Sequence, residues 1–144
     1  MRRFGNLRRP IQPQPHSAAG FQSLAHKVGP ILIADDNRDQ ADSLAVLFEL
    51  TGRAVLTAYE GEHALELALV FRPQWLLLDL GMPLMSGYEV AAQVRALPWG
   101  RQAGLLALTG YARGEDLQRS FEAGFDHHFV KPVEFGELIA VMKE

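Results

Sequence analysis

Five short apolar runs recur along the chain, each followed by a connection and then by apolar residues at helical spacing. Ile31-Leu32-Ile33-Ala34 is the first run, and Ala41, Leu44, Ala45, Leu47, Phe48 and Leu50 repeat behind it over Gln40–Leu50. Thr51-Gly52 supplies the left-handed glycine that ends such a helix. Ala54–Ala58 is the second run, followed by Ala64, Leu65, Leu67, Ala68 and Phe71, with Pro73 as the stop. Trp75-Leu76-Leu77-Leu78 is the third, and Ser86-Gly87 opens a helix with Val90, Ala91, Val94 and Leu97, broken at Pro98-Trp99-Gly100. Leu105–Leu108 is the fourth, followed by Asp116–Ala123, where Leu117 and Phe121 stand at i, i+4 before Gly124. His127–Val130 is the fifth, followed by Phe135–Val141. Runs apolar on both faces are strands buried on both faces, and strand–helix alternation with short links predicts an α/β fold. The expected architecture is a doubly wound parallel sheet with helices on both faces.

The polar residues that close these runs bring in chemistry. The first strand ends in Asp35-Asp36, the third in Asp79, the fourth in Thr109 and the fifth in Lys131. In a parallel sheet all of these lie on one edge, where open α/β sheets place ligands. Three close carboxylates repel one another unless protonated or neutralised. A hard divalent cation resolves this, and oxygen ligands with room for water suit Mg²⁺. An ammonium and a hydroxyl beside them make a site for a tetrahedral anion. Phosphoryl transfer fits, because its catalysis is mostly positioning and charge neutralisation. Asp79 is then the nucleophile, forming an aspartyl phosphate. The duller readings are that Asp36 or Asn37 caps the first helix, that Asp79 and Thr109 are turn residues and that Lys131 is an exposed loop lysine.

Charge separates an arm from a body. Residues 1–29 hold Arg2, Arg3, Arg8, Arg9 and Lys27 and no acid, a balance of +5; the chain totals −3, leaving −8 for residues 30–144. The arm also carries Pro10, Pro13 and Pro15 and no sustained period, so it reads as a flexible basic arm or linker ahead of one domain over 30–144. The acidic body does not suit nucleic acid. There is no cysteine, hence no disulfide, thiolate metal site or thiol nucleophile. No apolar run approaches the ~18 residues of a membrane span. A soluble, cytoplasmic protein without membrane contact is the expectation.

From about Pro30 onward the chain resembles the receiver domain of bacterial two-component response regulators. The resemblance rests on Asp35-Asp36 after Ile31–Ala34, on Leu78-Asp79-Leu80-Gly81-Met82-Pro83, and on Gly87, Leu108-Thr109, Ala123-Gly124 and Lys131-Pro132. It implies a flavodoxin-like (βα)5 fold with strand order 2-1-3-4-5. It also implies a phosphoacceptor and not an enzyme turning over a small molecule. Asp79 would take a phosphoryl group from a histidine kinase or histidine phosphotransfer protein. Mg²⁺ would be held by Asp36 directly, by Asp35 mostly through water, by Asp79, and by Gly81 through its carbonyl. Lys131 would pair with the phosphoryl oxygens, Thr109 would hydrogen-bond them, and the Lys131–Pro132 peptide would be cis. The switched surface for a downstream protein would be the fourth helix, fifth strand and fifth helix.

One position departs from the family. Three residues before the lysine the family usually has Tyr or Phe as a switch; here it is His128, which can rotate, hydrogen-bond and titrate near neutral pH. Gly81 and Tyr111, each two past a site residue, stand where the family tunes phosphate loss. The large Tyr111 implies shielding and slow autodephosphorylation. The stretch Phe125–Pro132 resembles receivers attached to sensor kinases, which would make the arm a linker; a single-domain regulator is the other expectation, since little chain follows the fifth helix. Other readings fare worse. Asp35-Asn37-Asp39 begins like a calcium loop, but Gln40 and Val46 replace its glycine and glutamate. Gly81 stands where a haloacid-dehalogenase-like phosphatase needs a second Asp. The remaining alternative is a receiver-like binding module that is never phosphorylated.

Overall fold

The computed structural model describes residues 29–110 and 114–142, so expectations for the arm at residues 1–28 lie outside the described residues. The elements in order are β1 (Ile31–Ala34), α1 (Arg38–Leu50), β2 (Val55–Ala58), α2 (Gly61–Phe71) and β3 (Trp75–Asp79). Then come α3 (Gly87–Arg95), a 3-10 turn (Trp99–Gln102), β4 (Gly104–Thr109), α4 (Gly114–Ala123), β5 (His127–Val130) and α5 (Phe135–Val141). All pairings are parallel and the sheet order is β2-β1-β3-β4-β5, as expected. The order reverses beside β1, so a crevice opens between the carboxyl ends of β1 and β3.

Alternation along the strands divides the core in two. Ile31, Ile33, Leu77, Leu106 and Leu108 meet Ala41, Ala45 and Phe48 of α1 and Leu138 of α5. Leu32, Ala34, Leu76, Leu78, Leu105 and Ala107 meet Ala64 and Ala68 of α2 and Val90, Ala91 and Val94 of α3. Every residue of β1 is buried, which is why that strand is apolar without a break. Among the described residues, no helix is long and apolar enough to cross a membrane.

Local chemistry sets the helix ends. The Asn37 side chain accepts from Gln40 N at 3.2 Å and caps α1, which leaves Asp36 free for other work. Gly52, at φ 91°, follows α1 as the pattern predicts. Ser86 and Glu89 form a reciprocal capping box on α3. The start of α3 presses on the end of β3: a Cβ on Gly87 would stand 2.5 Å from the Asp79 carbonyl oxygen. Glycine there lets α3 brace the strand end that carries the candidate nucleophile.

Arg95, at the C-terminal end of α3, ties four segments together. Its guanidinium donates to the carbonyls of Gly124 (2.8 Å), Gly100 (2.8 Å) and Ala103 (2.6 Å), and pairs with Asp126 at 2.9 Å. The same Asp126 carboxylate accepts from Leu105 N at 2.9 Å, so the turn after α4 is fastened to both α3 and β4.

One apolar pattern faces the other way from its simplest reading. Leu117 and Phe121, the i, i+4 pair of α4, are 38% and 58% exposed, and the fully buried residue of that helix is Ser120. The helix is rotated so that Ser120 meets a polar partner on β5, and the apolar pair is left outside with Val130 of β5, itself 45% exposed.

Candidate functional site

The strand-end carboxylates converge. Asp35 follows β1 and Asp79 closes β3; both are buried, while Asp36 is exposed. One oxygen from each of the three lies within 4.8 Å of the others. The Asp79 loop is fixed from both sides. Leu80 and Met82 are buried, and Leu80 N donates to Leu108 O at 2.9 Å, so the β3–β4 pairing runs past the carboxylate. Gly81 N donates to Asp79 Oδ1 at 3.1 Å, and Asn37 N donates to Asp35 Oδ1 at 2.9 Å.

Lys131 reaches the cluster from β5. Its backbone N donates to Thr109 O at 2.7 Å, which carries the β4–β5 pairing beyond the last residue of β5, and the Lys131–Pro132 peptide is cis, as expected. The ammonium lies 2.8 Å from Asp35 Oδ2 and 3.5 Å from Asp79 Oδ1. Thr109 ends β4 one residue past Leu108, the register partner of Asp79, so its half-buried side chain lies on the same edge. An open cleft of about 380 Å³ leads from Asp35 and Lys131 along α1, past Gln40, Leu44 and Leu47, with Val133 on its far side.

Among the described residues, the Lys131 ammonium is set against three acids. Burial pushes the Asp79 carboxyl up from 3.8 to about 6; the Gly81 N–H opposes this, the Asp35 charge adds to it, Lys131 lowers it, and a hydrogen bond with Asp36 raises it again. An all-oxygen donor set, two members buried and one open to water, with a net negative charge after Lys131 is counted, is the chemistry that holds a hard divalent cation. The residues fit Mg²⁺.

The remaining expectations meet different fates. His128 is not a free surface ring: its Nδ1 lies 2.8 Å from the Ser120 hydroxyl of α4. Burial lowers its pKa below 6.5, and the Asp116 carboxylate opposes this. Tyr111 lies outside the described residues. At Gly81 a Cβ would stand 3.8 Å from Asp79 Oδ1, so any side chain here would overhang the carboxylate. Ser120 and Asp116 went unnoticed in the sequence. The available signal was their i, i+4 spacing on α4 opposite a strand histidine.

Comparison with known proteins places this geometry. Residues 31–143 match the response regulator receiver domain family. An uncharacterised 14.6 kDa protein of Leptolyngbya boryana is 39% identical over 124 residues, covering 86% of this chain and 93% of that one. The transcriptional regulatory protein PrrA of Mycobacterium tuberculosis is 34% identical over 113 residues, 78% of this chain; the match spans 48% of PrrA, about half its length. Among solved structures, the receiver domain of the sensor histidine kinase PA1611 of Pseudomonas aeruginosa superposes with a TM-score of 0.71 at 26% identity, covering 78% of this chain and 93% of that one. That domain holds a magnesium ion in its active-site cleft.

Proposed function

Because this chain belongs to the receiver-domain family of response regulators, and so to two-component signalling, we propose that Asp79 accepts a phosphoryl group from a phosphohistidine on a partner protein. The observation that carries this is the buried Asp79 carboxylate set between two further acids and an ammonium 3.5 Å away. An ionised Asp79 oxygen attacks phosphorus as the P–N bond to the donor imidazole breaks, and the leaving nitrogen keeps the electron pair and takes up a proton. Lys131 neutralises charge on the phosphoryl oxygens, and the Thr109 hydroxyl donates to one of them. Asp35, Asp36, Asp79 and the Gly81 carbonyl would hold Mg²⁺, which supplies charge neutralisation at the transferring group. The donor is a histidine kinase or phosphotransfer protein whose helix fits the cleft along α1, where Leu44 and Leu47 offer apolar contact. The output face is α4, β5 and α5, where Leu117, Phe121 and Val130 are exposed. The working compartment is the cytoplasm, and residues 1–29 serve as a linker to the receiver proper.

Acetyl phosphate or beryllofluoride with Mg²⁺, read by intact mass and by NMR, tests the assignment. The expected result is one adduct, lost in Asp79→Asn. No adduct and no shift near Asp79 would favour the unphosphorylated binding module instead. Gly81 offers no side chain to guide a water molecule and Tyr111 is large, so the phosphate is expected to persist for minutes or longer. A half-life of seconds would overturn the shielding role given to Tyr111.

A further inference from the structure

His128 lies under α4 in a setting that favours the neutral ring. Its Nδ1 shares a hydrogen bond of 2.8 Å with Ser120 Oγ, and Ser120 is fully buried. Its Nε2 is buried with no hydrogen-bond partner, and so is Asp116 Oδ2, one helical turn before Ser120 on the same side of α4. A neutral ring leaves only its own Nε2 unsatisfied, in addition to Asp116 Oδ2, a modest cost for the ring itself. An imidazolium has two N–H donors and a charge, and in this position the second donor meets no acceptor.

The surroundings do not rescue the charge. On β4 the register partner of His128 is Ala107. On α4, Arg119 is occupied over the Tyr88 ring of α3, 4.0 Å from its centroid. On β5 itself, His127 packs toward Phe129 on the other face, and the Lys131 ammonium is turned to Asp35. Asp116 is the charged group that acts on the ring, and its attraction is outweighed by burial.

We propose that neutral His128, hydrogen-bonded to Ser120, is a latch holding α4 against β5, and that proton uptake by the ring releases it. The sign follows from linkage. The ring binds a proton less readily with α4 docked than in water, so each proton bound favours the undocked helix, and release sets in as pH falls below about 6.5. This deepens the reading of α4–β5–α5 as the output face and rests on it. Acid and phosphorylation then act on the same helix, one through β5 and the other through Asp79.

The test uses the full chain carrying Asp79→Asn, which removes the buried carboxyl whose titration is pushed up into this range. His128 ring shifts and α4 amide exchange are followed by NMR from pH 7.5 to 5, with β3 amides as reference. Protection of α4 relative to β3 is expected to fall at least threefold on acidification, with the midpoint of the His128 titration. Ser120→Ala should lower α4 protection at every pH, Asp116→Asn should move the midpoint further down, and His128→Phe should remove the pH dependence. If His128→Phe does not fold, the Asp116→Asn midpoint carries the test. A ring neutral down to pH 5, α4 protection independent of pH, or an unmoved midpoint in Asp116→Asn would each overturn the latch. Failure of the native chain to take beryllofluoride would sink the phosphoacceptor reading and leave the latch result intact.

Discussion

Asp79→Asn protein is expected to take up no phosphoryl group and yet to melt higher than the native chain at pH 7.5 without divalent cations. Asp79 is 6% exposed, and its carboxyl titrates near 6 instead of 3.8. The native state therefore binds the proton more tightly than the unfolded chain. The stability this group contributes is complete below about pH 3.8 and is lost as pH rises through about 6. The difference corresponds to about 3 kcal/mol at neutral pH. An amide of the same shape carries no charge to bury, so the variant should gain most of that, roughly 10 °C in melting temperature for a domain of this size. The gap should close near pH 4 and narrow when Mg²⁺ is added to the native chain. Equal melting temperatures at pH 7.5 would mean that the carboxylate is not destabilised by its setting.

Lys131→Met should produce the opposite balance. The substitution keeps the apolar stem and removes the cation that stands 2.8 Å from Asp35 and 3.5 Å from Asp79. Two buried carboxylates then face each other without a cation, held by the backbone N–H groups of Gly81 and Asn37. Breaking a fully buried pair costs about 3–5 kcal/mol. Here the loss is limited to about 2–3 kcal/mol, because Asp79 takes up a proton instead of remaining charged. Mg²⁺ should restore most of that loss and bind more tightly than to the native chain, since its competitor is gone. The rate of modification by acetyl phosphate should fall by about 10²–10³, the usual effect of removing one group that stabilises transition-state charge. Denaturant melts with and without Mg²⁺, together with mass-resolved time courses, read both. A rate within tenfold of the native chain would show that Lys131 serves the fold alone.

Most of this architecture is legible in the residues because strands buried on both faces admit few polar residues. Ile31–Ala34 and Trp75–Leu78 leave no other assignment, and the polar residues expelled to their ends define the site. Asp35, Asp36, Asp79 and Lys131 meet as the strand ends predict. Two things escaped. The short 3-10 turn at Trp99–Gln102 has no periodicity to read, only the breakers around it. The facing of α4 escaped because Leu117 and Phe121 make an acceptable inner face on a short helix, and only the position of His128 on the neighbouring strand shows that a hydroxyl is wanted there instead. A pattern within one helix cannot report a polar partner contributed by another element.

The Arg95 guanidinium has a mechanical consequence for α4. It grips the carbonyl of Gly124, directly after the last turn of that helix, and holds the following turn through Asp126. The helix is thus a lever with its fulcrum at the C-terminal end. Its 10 residues make an arm of about 15 Å, and a tilt of about 10° would carry the far end through roughly 3 Å while the pinned end stays in place. A protein resting on this face would feel more movement at Leu117 than at Phe121, one turn nearer the pivot.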